Sequence, residues 1–189
     1  MEPLLISTGA VAVSEIGDKT QLLALVLASR FRKPVQIVLG ILVATIVNHT
    51  LAALLGSWIG SAIPAEWLRW GLGALFIAMA LWALRPDSLE GEHANKVAAG
   101  SAFMVTTVCF FMAEMGDKTQ VATAALAAQF GTVLPVVIGT TAGMLIADVP
   151  AVICGQLAGS RISGRWVRLA AAVIFAALGV LALLGVHLV

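Results

Sequence analysis

The pattern of hydrophobic and polar positions divides the chain into six apolar stretches separated by short polar breaks. A helix needs about 20 apolar residues to cross a hydrocarbon core about 30 Å thick, and each stretch is close to that length or longer. The stretches are continuously apolar and do not alternate, so they predict helices and not the strands of a β-barrel. The six predicted spans are Leu4–Ser29, Val35–Ile59, Trp67–Leu84, Ala98–Gln129, Val133–Ala158 and Trp166–Leu188.

The composition supports a protein that lies almost entirely within a membrane. Hydrophobic residues make up 60% of the 189 residues and charged residues 11%, whereas a soluble domain has about 45–50% apolar and about 25% charged residues. A formal net charge of +1 provides no basic field for nucleic acid. Both cysteines lie in apolar runs and give no sign of a disulfide framework. The sequence therefore predicts an all-α integral membrane protein with six transmembrane helices.

The distribution of basic residues predicts the orientation of these spans. Eight of the 11 lysines and arginines lie in or beside the first, third and fifth breaks. Because cytoplasmic loops are enriched in lysine and arginine, these three breaks are predicted to be cytoplasmic and both termini to lie outside. The eight residues are Arg30, Arg32, Lys33, Arg85, Lys96, Arg161, Arg165 and Arg168.

The chain contains an internal duplication with an offset of 99 residues. At this offset the segment 15–21 aligns with 114–120, and six of the seven positions are identical. Each half has three predicted spans, an odd number, so the halves should cross the membrane in opposite directions. Such inverted repeats in secondary transporters place the substrate near the midplane. We predict a first three-helix repeat over 1–84, a cytoplasmic joint over 85–97 and an inverted second repeat over 98–189.

The duplicated segment carries two acidic residues in each half, near the middle of the first and fourth spans. A charge at the centre of a spanning helix costs about 2.5–3.5 kcal/mol on insertion scales, so it indicates function. The i, i+3 spacing would put Glu15 with Asp18, and Glu114 with Asp117, on one helix face. A pseudo-two-fold axis would gather all four carboxylates into a metal site. Carboxylate oxygens suit calcium, magnesium or manganese.

Two further features of the motif leave alternatives open. Gly17 and Gly116 would allow either a close approach of helices or a local opening of the backbone. Lys19 and Lys118 follow the motif glutamates by four residues, a favourable spacing for ion pairs on a continuous helix. These lysines would neutralise the site when it holds no cation, or pair with its carboxylates in one state of an alternating-access cycle.

Several polar residues near the acids are candidates for additional ligands or for gating. The motif threonines and glutamines would either bind the cation or form hydrogen bonds between helices. In the second and fifth spans, His49 aligns with Asp148, and the pair would relay protons, gate the site or simply pack. The candidates are Lys19, Thr20, Gln21, Lys118, Thr119, Gln120, Asn48, His49 and Asp148.

The proximity of four carboxylates suggests how a cation would be exchanged. Neighbouring carboxylates repel one another, so a site without a cation would hold protons, and a divalent cation would displace them. The hypothesis of proton–cation exchange follows from that competition. Two other classes of function remain open. They are an intramembrane metal-dependent hydrolase and a small-solute exporter in which the acids only carry protons.

Two copies of the motif E-x-G-D-K-T-Q, one in each three-helix half, resemble the Ca²⁺:cation antiporter-2 family. That family includes bacterial manganese exporters of the MneA type and eukaryotic Golgi Mn²⁺/Ca²⁺ transporters. The resemblance extends over essentially the whole chain. It implies a transporter, not an enzyme, with no catalytic residue and no separate cofactor.

Carried over through the motif, Glu15, Asp18, Glu114 and Asp117 would be the metal-binding acids. The resemblance implies export of Mn²⁺ across the inner membrane of a bacterium, with a Ca²⁺/H⁺ antiporter as the alternative. The implied partners are a divalent metal ion and the lipid bilayer, with no nucleic acid. Association into a homo-oligomer stays open.

Overall fold

A computed structural model describes residues 1–84, 101–154 and 164–184, and all regular secondary structure within these ranges is helical. Each half begins with two short helices, followed by a long helix and then a helix of about 20 residues. The all-α prediction is confirmed for this part of the chain, whereas the predicted joint at 85–97 lies outside it. The helices are α1 (Glu2–Glu15), α2 (Lys19–Phe31), α3 (Pro34–Ala62), α4 (Ala65–Ala83), α5 (Ala102–Glu114), α6 (Lys118–Phe130), α7 (Leu134–Cys154) and α8 (Gly164–Leu183).

Within the described ranges, two helices are long and apolar enough to cross a membrane, judged by length and composition alone. They are α3, with 29 residues, and α7, with 21 residues. Each exposes large apolar side chains along one face, such as Leu51 and Leu54 on α3 and Ile146 and Ile153 on α7. Pro150 lies inside α7.

The predicted first and fourth spans are each divided into two helices at the duplicated motif. α1 ends at Glu15 and α2 begins at Lys19, while α5 ends at Glu114 and α6 begins at Lys118. The prediction that the two acids of each motif share one continuous helix face is therefore wrong.

Glycine explains the position of both breaks. Gly17 has φ +81° and Gly116 has φ +76°, values in the left-handed region that glycine adopts without the steric penalty of a Cβ. Of the two alternatives considered for these glycines, the structure shows the local opening of the backbone.

The helices of the two halves pack against each other through glycines. Gly139 of α7 lies so close to α1 that a Cβ there would come within 2.5 Å of the Leu4 carbonyl oxygen. In the corresponding contact, a Cβ on Gly40 of α3 would lie 2.9 Å from the Phe103 carbonyl oxygen of α5. Each long helix therefore contacts the broken helix pair of the other half, so both motifs lie at the interface between the halves.

Large apolar side chains are exposed at the surface, whereas several charged side chains are buried. Trp58 and Trp67 are 67% and 72% exposed beside the turn between α3 and α4. An exposed apolar surface of this extent indicates contact with lipid or protein. Among the residues that the structure describes, the buried charged ones are Glu15, Asp18, Glu114, Asp117, Lys118 and Asp148.

Candidate cation-binding site

Each motif places one carboxylate at the end of a helix and the other at the start of the next. Glu15 is the last residue of α1, and Asp18 is the N-cap residue of α2, where its Oδ1 accepts a hydrogen bond from the Lys19 backbone N–H at 2.7 Å. The Asp18 N–H donates to the Glu15 carbonyl oxygen at 3.0 Å. The second motif has the same turn, with a distance of 3.1 Å between Asp117 N and Glu114 O.

Carboxylates from both motifs meet in one buried cluster. Glu15, Glu114 and Asp117 each contribute an oxygen, and these three oxygens lie within 4.8 Å of one another. Oxygens that bind one Ca²⁺ at about 2.3–2.6 Å lie at most roughly 5 Å apart, so a single divalent cation would fit between them. Asp18 is 1% exposed and lies close enough to Glu15 to repel it electrostatically.

The two motif glutamates are held in the same way by the motif threonines. Thr20 Oγ1 donates to Glu15 Oε2 at 2.6 Å, and Thr119 Oγ1 donates to Glu114 Oε2 at 2.8 Å. The other oxygen of each glutamate, Oε1, is buried without a hydrogen-bond partner in the described part of the chain. Burying such an oxygen costs free energy unless a partner compensates, and a cation would provide that compensation for both glutamates.

The motif lysines form ion pairs between the halves. Lys19 Nζ lies 2.7 Å from Asp117 Oδ1, and Lys118 Nζ lies 2.8 Å from Asp18 Oδ2. The i, i+4 pairing expected of a continuous helix is therefore replaced, because the break separates each lysine from the glutamate before it. This arrangement is compatible with both roles considered for the lysines, neutralisation of a site that holds no cation and pairing with its carboxylates in one state of the cycle.

The two ion pairs differ in their accessibility. The side chain of Lys19 is 30% exposed and that of Asp117 5%, whereas Lys118 is 7% exposed and Asp18 0%. Solvent therefore reaches the cluster more easily beside Lys19 than beside Lys118.

The motif glutamines bind the backbone of the breaks. Gln21 Oε1 accepts a hydrogen bond from Gly17 N, and Gln120 Oε1 accepts one from Gly116 N, each at 2.7 Å. The oxygen that would ligate a cation thus already binds a backbone N–H in both glutamines. Asn48 joins this network, because its Oδ1 accepts from Gln120 Nε2 at 3.1 Å.

Asp148 of α7 lies beside the acidic cluster. It is fully buried, neither of its oxygens has a hydrogen-bond partner among the residues described, and it interacts electrostatically with Glu15 and Asp18. His49 of α3 is also fully buried, and its ring nitrogens form no hydrogen bond with a described residue. The structure thus brings Asp148 to the cluster but forms no direct His49–Asp148 hydrogen bond.

The chemistry of this cluster suits a hard divalent cation. Its acidic groups supply carboxylate oxygens, the ligands preferred by Ca²⁺, Mg²⁺ and Mn²⁺. Zn²⁺ and Cu²⁺ sites would more typically include imidazole or thiolate ligands. The five acids and two lysines of the cluster are Glu15, Asp18, Glu114, Asp117, Asp148, Lys19 and Lys118.

Comparison with known proteins identifies relatives over almost the whole chain. A family model described as the divalent cation/proton antiporter GDT1 matches residues 3–91 and 102–187. A Vibrio cholerae protein provisionally named as a manganese exporter is 46% identical over 176 residues, which are 93% of this chain and 87% of that protein. A GDT1-like protein of Synechocystis is 32% identical over 185 residues, covering 87% of this chain and 88% of the relative.

The similarity extends to plants. GDT1-like protein 5 of Arabidopsis thaliana is 30% identical over 210 residues, with 91% of each chain covered. No solved structure gave a significant match. The match to the family model includes both acidic motifs and confirms the resemblance that the motifs indicated. The chain therefore belongs to the GDT1 family of divalent cation/proton antiporters, which are membrane transporters.

Proposed function

We propose that this protein exports Mn²⁺ from the bacterial cytoplasm in exchange for protons, through a single site built by both motifs. The observation that carries the proposal is the meeting of carboxylate oxygens from both motifs within 4.8 Å. Glu15, Asp18, Glu114 and Asp117 are the proposed metal-binding acids. A site that needs ligands from both halves is sensitive to the movement of one half against the other, as alternating access requires.

The choice of Mn²⁺ rests on the oxygen ligands together with the relatives. The Vibrio cholerae relative is provisionally named as a manganese exporter, and carboxylates bind Mn²⁺ readily. Ca²⁺ prefers the same ligands but takes six to eight oxygens at longer distances. A Ca²⁺/H⁺ antiporter is therefore the second candidate, favoured by the same carboxylates. An intramembrane hydrolase would also need a substrate-binding and catalytic arrangement beyond these acids, so we propose that the protein is not an enzyme.

Charge balance in the cluster supports exchange for protons. Five carboxylates face two lysines, so full ionisation would leave three uncompensated negative charges in a buried site. Buried charges are costly unless they are compensated. Bound protons or a divalent cation would each reduce this excess, and the two compete for the same oxygens. Asp148 contributes to the charge that must be balanced and provides an additional acceptor for a proton.

The two lysine–aspartate ion pairs suggest a state that precedes cation binding. A divalent cation near Asp18 and Asp117 would compete with the ammonium groups of Lys118 and Lys19 for these carboxylates. The greater exposure of the Lys19 pair fits a state more open to one side. In this proposal the repeats 1–84 and 98–189 are inverted, each with three spans, around the cytoplasmic joint 85–97. Both termini lie on the outer, non-cytoplasmic side of the inner membrane.

Transport by purified protein in proteoliposomes tests this function. We expect Mn²⁺ to enter the vesicles in exchange for protons that leave them, and a pH indicator inside the vesicles reports the proton movement. Ca²⁺ should be transported less efficiently. Protein-free liposomes are the control for leakage. Efficient Ca²⁺ transport with little Mn²⁺ transport would favour the second candidate. Transport of neither ion by folded protein would contradict the proposed function.

A further inference from the structure

Each of the two motif glutamines connects its own motif to the other half of the protein. Each glutamine binds the N–H of the glycine in its own motif through Oε1. Its Nε2 reaches the long helix of the other half. Gln21 Nε2 donates to the Ala147 carbonyl oxygen at 2.8 Å, and Gln120 Nε2 donates to Asn48 Oδ1 at 3.1 Å.

The two receiving positions correspond to each other in the duplication. Position 48 aligns with position 147 at the 99-residue offset, so each glutamine reaches the equivalent point on the opposite long helix. A hydrogen bond at equivalent positions in both halves is difficult to explain as incidental packing. Each motif break is thus bound both to its own backbone and to the other half.

The two connections differ in the kind of acceptor they use. Gln21 donates to a backbone oxygen of α7, one turn before Pro150. Gln120 donates to a side chain, and Asn48 in turn donates from Nδ2 to the Phe111 carbonyl oxygen at 3.1 Å. Phe111 lies in the last turn of α5, where carbonyl groups lack partners within the helix. Asn48 and Gln120 together therefore bridge the two sides of the second break.

We propose that Gln21 and Gln120 are positioning residues that fix the separation of the two motifs and thereby determine which divalent cation the site prefers. The inference rests on the proposed function, since it concerns the same carboxylate site. A site that is held small would favour the smaller ion, Mn²⁺, over the larger Ca²⁺, because selectivity among hard cations depends on cavity size and flexibility. Loss of a connection lets the carboxylates move apart and accommodate the larger ion.

The proposal is tested by the ratio of kcat/KM for Mn²⁺ to kcat/KM for Ca²⁺ in proteoliposomes. We expect Gln21→Ala and Gln120→Ala each to lower this ratio about threefold to tenfold, the range that corresponds to one or two hydrogen bonds. The change should come mainly from a higher KM for Mn²⁺. Gln129→Ala is the matched control, because Gln129 is a half-buried glutamine at the other end of α6, and its ratio should equal that of the wild type.

Asn48 provides a second variant that leaves both glutamines in place. Asn48→Leu keeps the branched shape of the side chain but cannot accept from Gln120, and it should lower the ratio to a smaller extent than Gln120→Ala. Combining Asn48→Leu with Gln120→Ala should give less than the product of the two changes, because both remove the same hydrogen bond. Combining Asn48→Leu with Gln21→Ala should give the full product of the two changes, because these variants remove different hydrogen bonds.

The outcomes separate this inference from the function on which it rests. An unchanged ratio in both glutamine variants and in Asn48→Leu, with transport of the two ions reduced equally, would show a purely structural role and overturn the inference alone. Absence of transport of both ions by the wild type would overturn the proposed function and this inference with it.

Discussion

Replacing either Glu15 or Glu114 by glutamine should abolish cation transport, and the two variants should be equally inactive. Both glutamates are fully buried and belong to the shared cluster, and each has one oxygen without a hydrogen-bond partner among the described residues. Glutamine keeps the shape and still accepts the threonine hydrogen bond, but it removes the negative charge. Changing groups that only support metal ligands costs about 10–100-fold in affinity or activity, so the loss of a ligand should exceed about 100-fold.

Transport of Mn²⁺ into proteoliposomes measures this effect, with the amount of folded protein checked by size-exclusion chromatography. Glu66→Gln is the matched control, because Glu66 is exposed in the first turn of α4. That variant should transport at the wild-type rate. Activity that persists in one of the two glutamate variants would show that the halves do not contribute equally to one site.

Replacing Lys118 by methionine should destabilise the protein far more than the same change at Lys19. The Lys118–Asp18 ion pair is almost completely buried, whereas Lys19 is 30% exposed in its pair with Asp117. Removing one member of a buried ion pair costs about 3–5 kcal/mol, and exposed pairs contribute about 0–1 kcal/mol. We therefore expect the free energy of unfolding to fall by several kcal/mol in Lys118→Met and by a smaller amount in Lys19→Met.

Unfolding in detergent, followed with and without Mn²⁺, measures this difference. Mn²⁺ should restore part of the stability of Lys118→Met, because a ligand that binds only the folded state stabilises it and supplies positive charge beside Asp18. The double variant Lys118→Met/Asp18→Asn should recover much of the stability in the absence of the cation, yet remain inactive. Equal destabilisation by the two lysine variants would contradict the asymmetry of the ion pairs.

The sequence predicted the helical class and the meeting of the two acidic motifs, but not the shape of the motif. Continuous hydrophobicity reveals spans, and a repeated E-x-G-D-K-T-Q reveals the buried acids. The break between Glu15 and Asp18 is only one of two alternatives at the level of sequence, because glycine is compatible with both a continuous helix and a left-handed turn. Only the observed φ of Gly17, +81°, distinguishes the two.

The partners of the motif lysines and glutamines depend on how the two halves pack together. They could therefore not be predicted from the sequence. Spacing along a helix favoured a pair between Lys19 and Glu15, whereas the structure pairs Lys19 with Asp117. Gln120 and Asn48 lie 72 positions apart and meet only because α3 packs beside the second motif. The alignment of position 48 with position 147 shows that the two acceptor positions are equivalent, but it does not predict which residues contact them.

The stoichiometry of Mn²⁺ binding tests the central claim most directly, because a duplicated motif could form either one shared site or one site in each half. Isothermal titration calorimetry of purified protein in detergent provides this number. We predict one Mn²⁺ bound per chain, with binding lost in both Glu15→Gln and Glu114→Gln. Two Mn²⁺ per chain, reduced to one in each variant, would contradict the shared site.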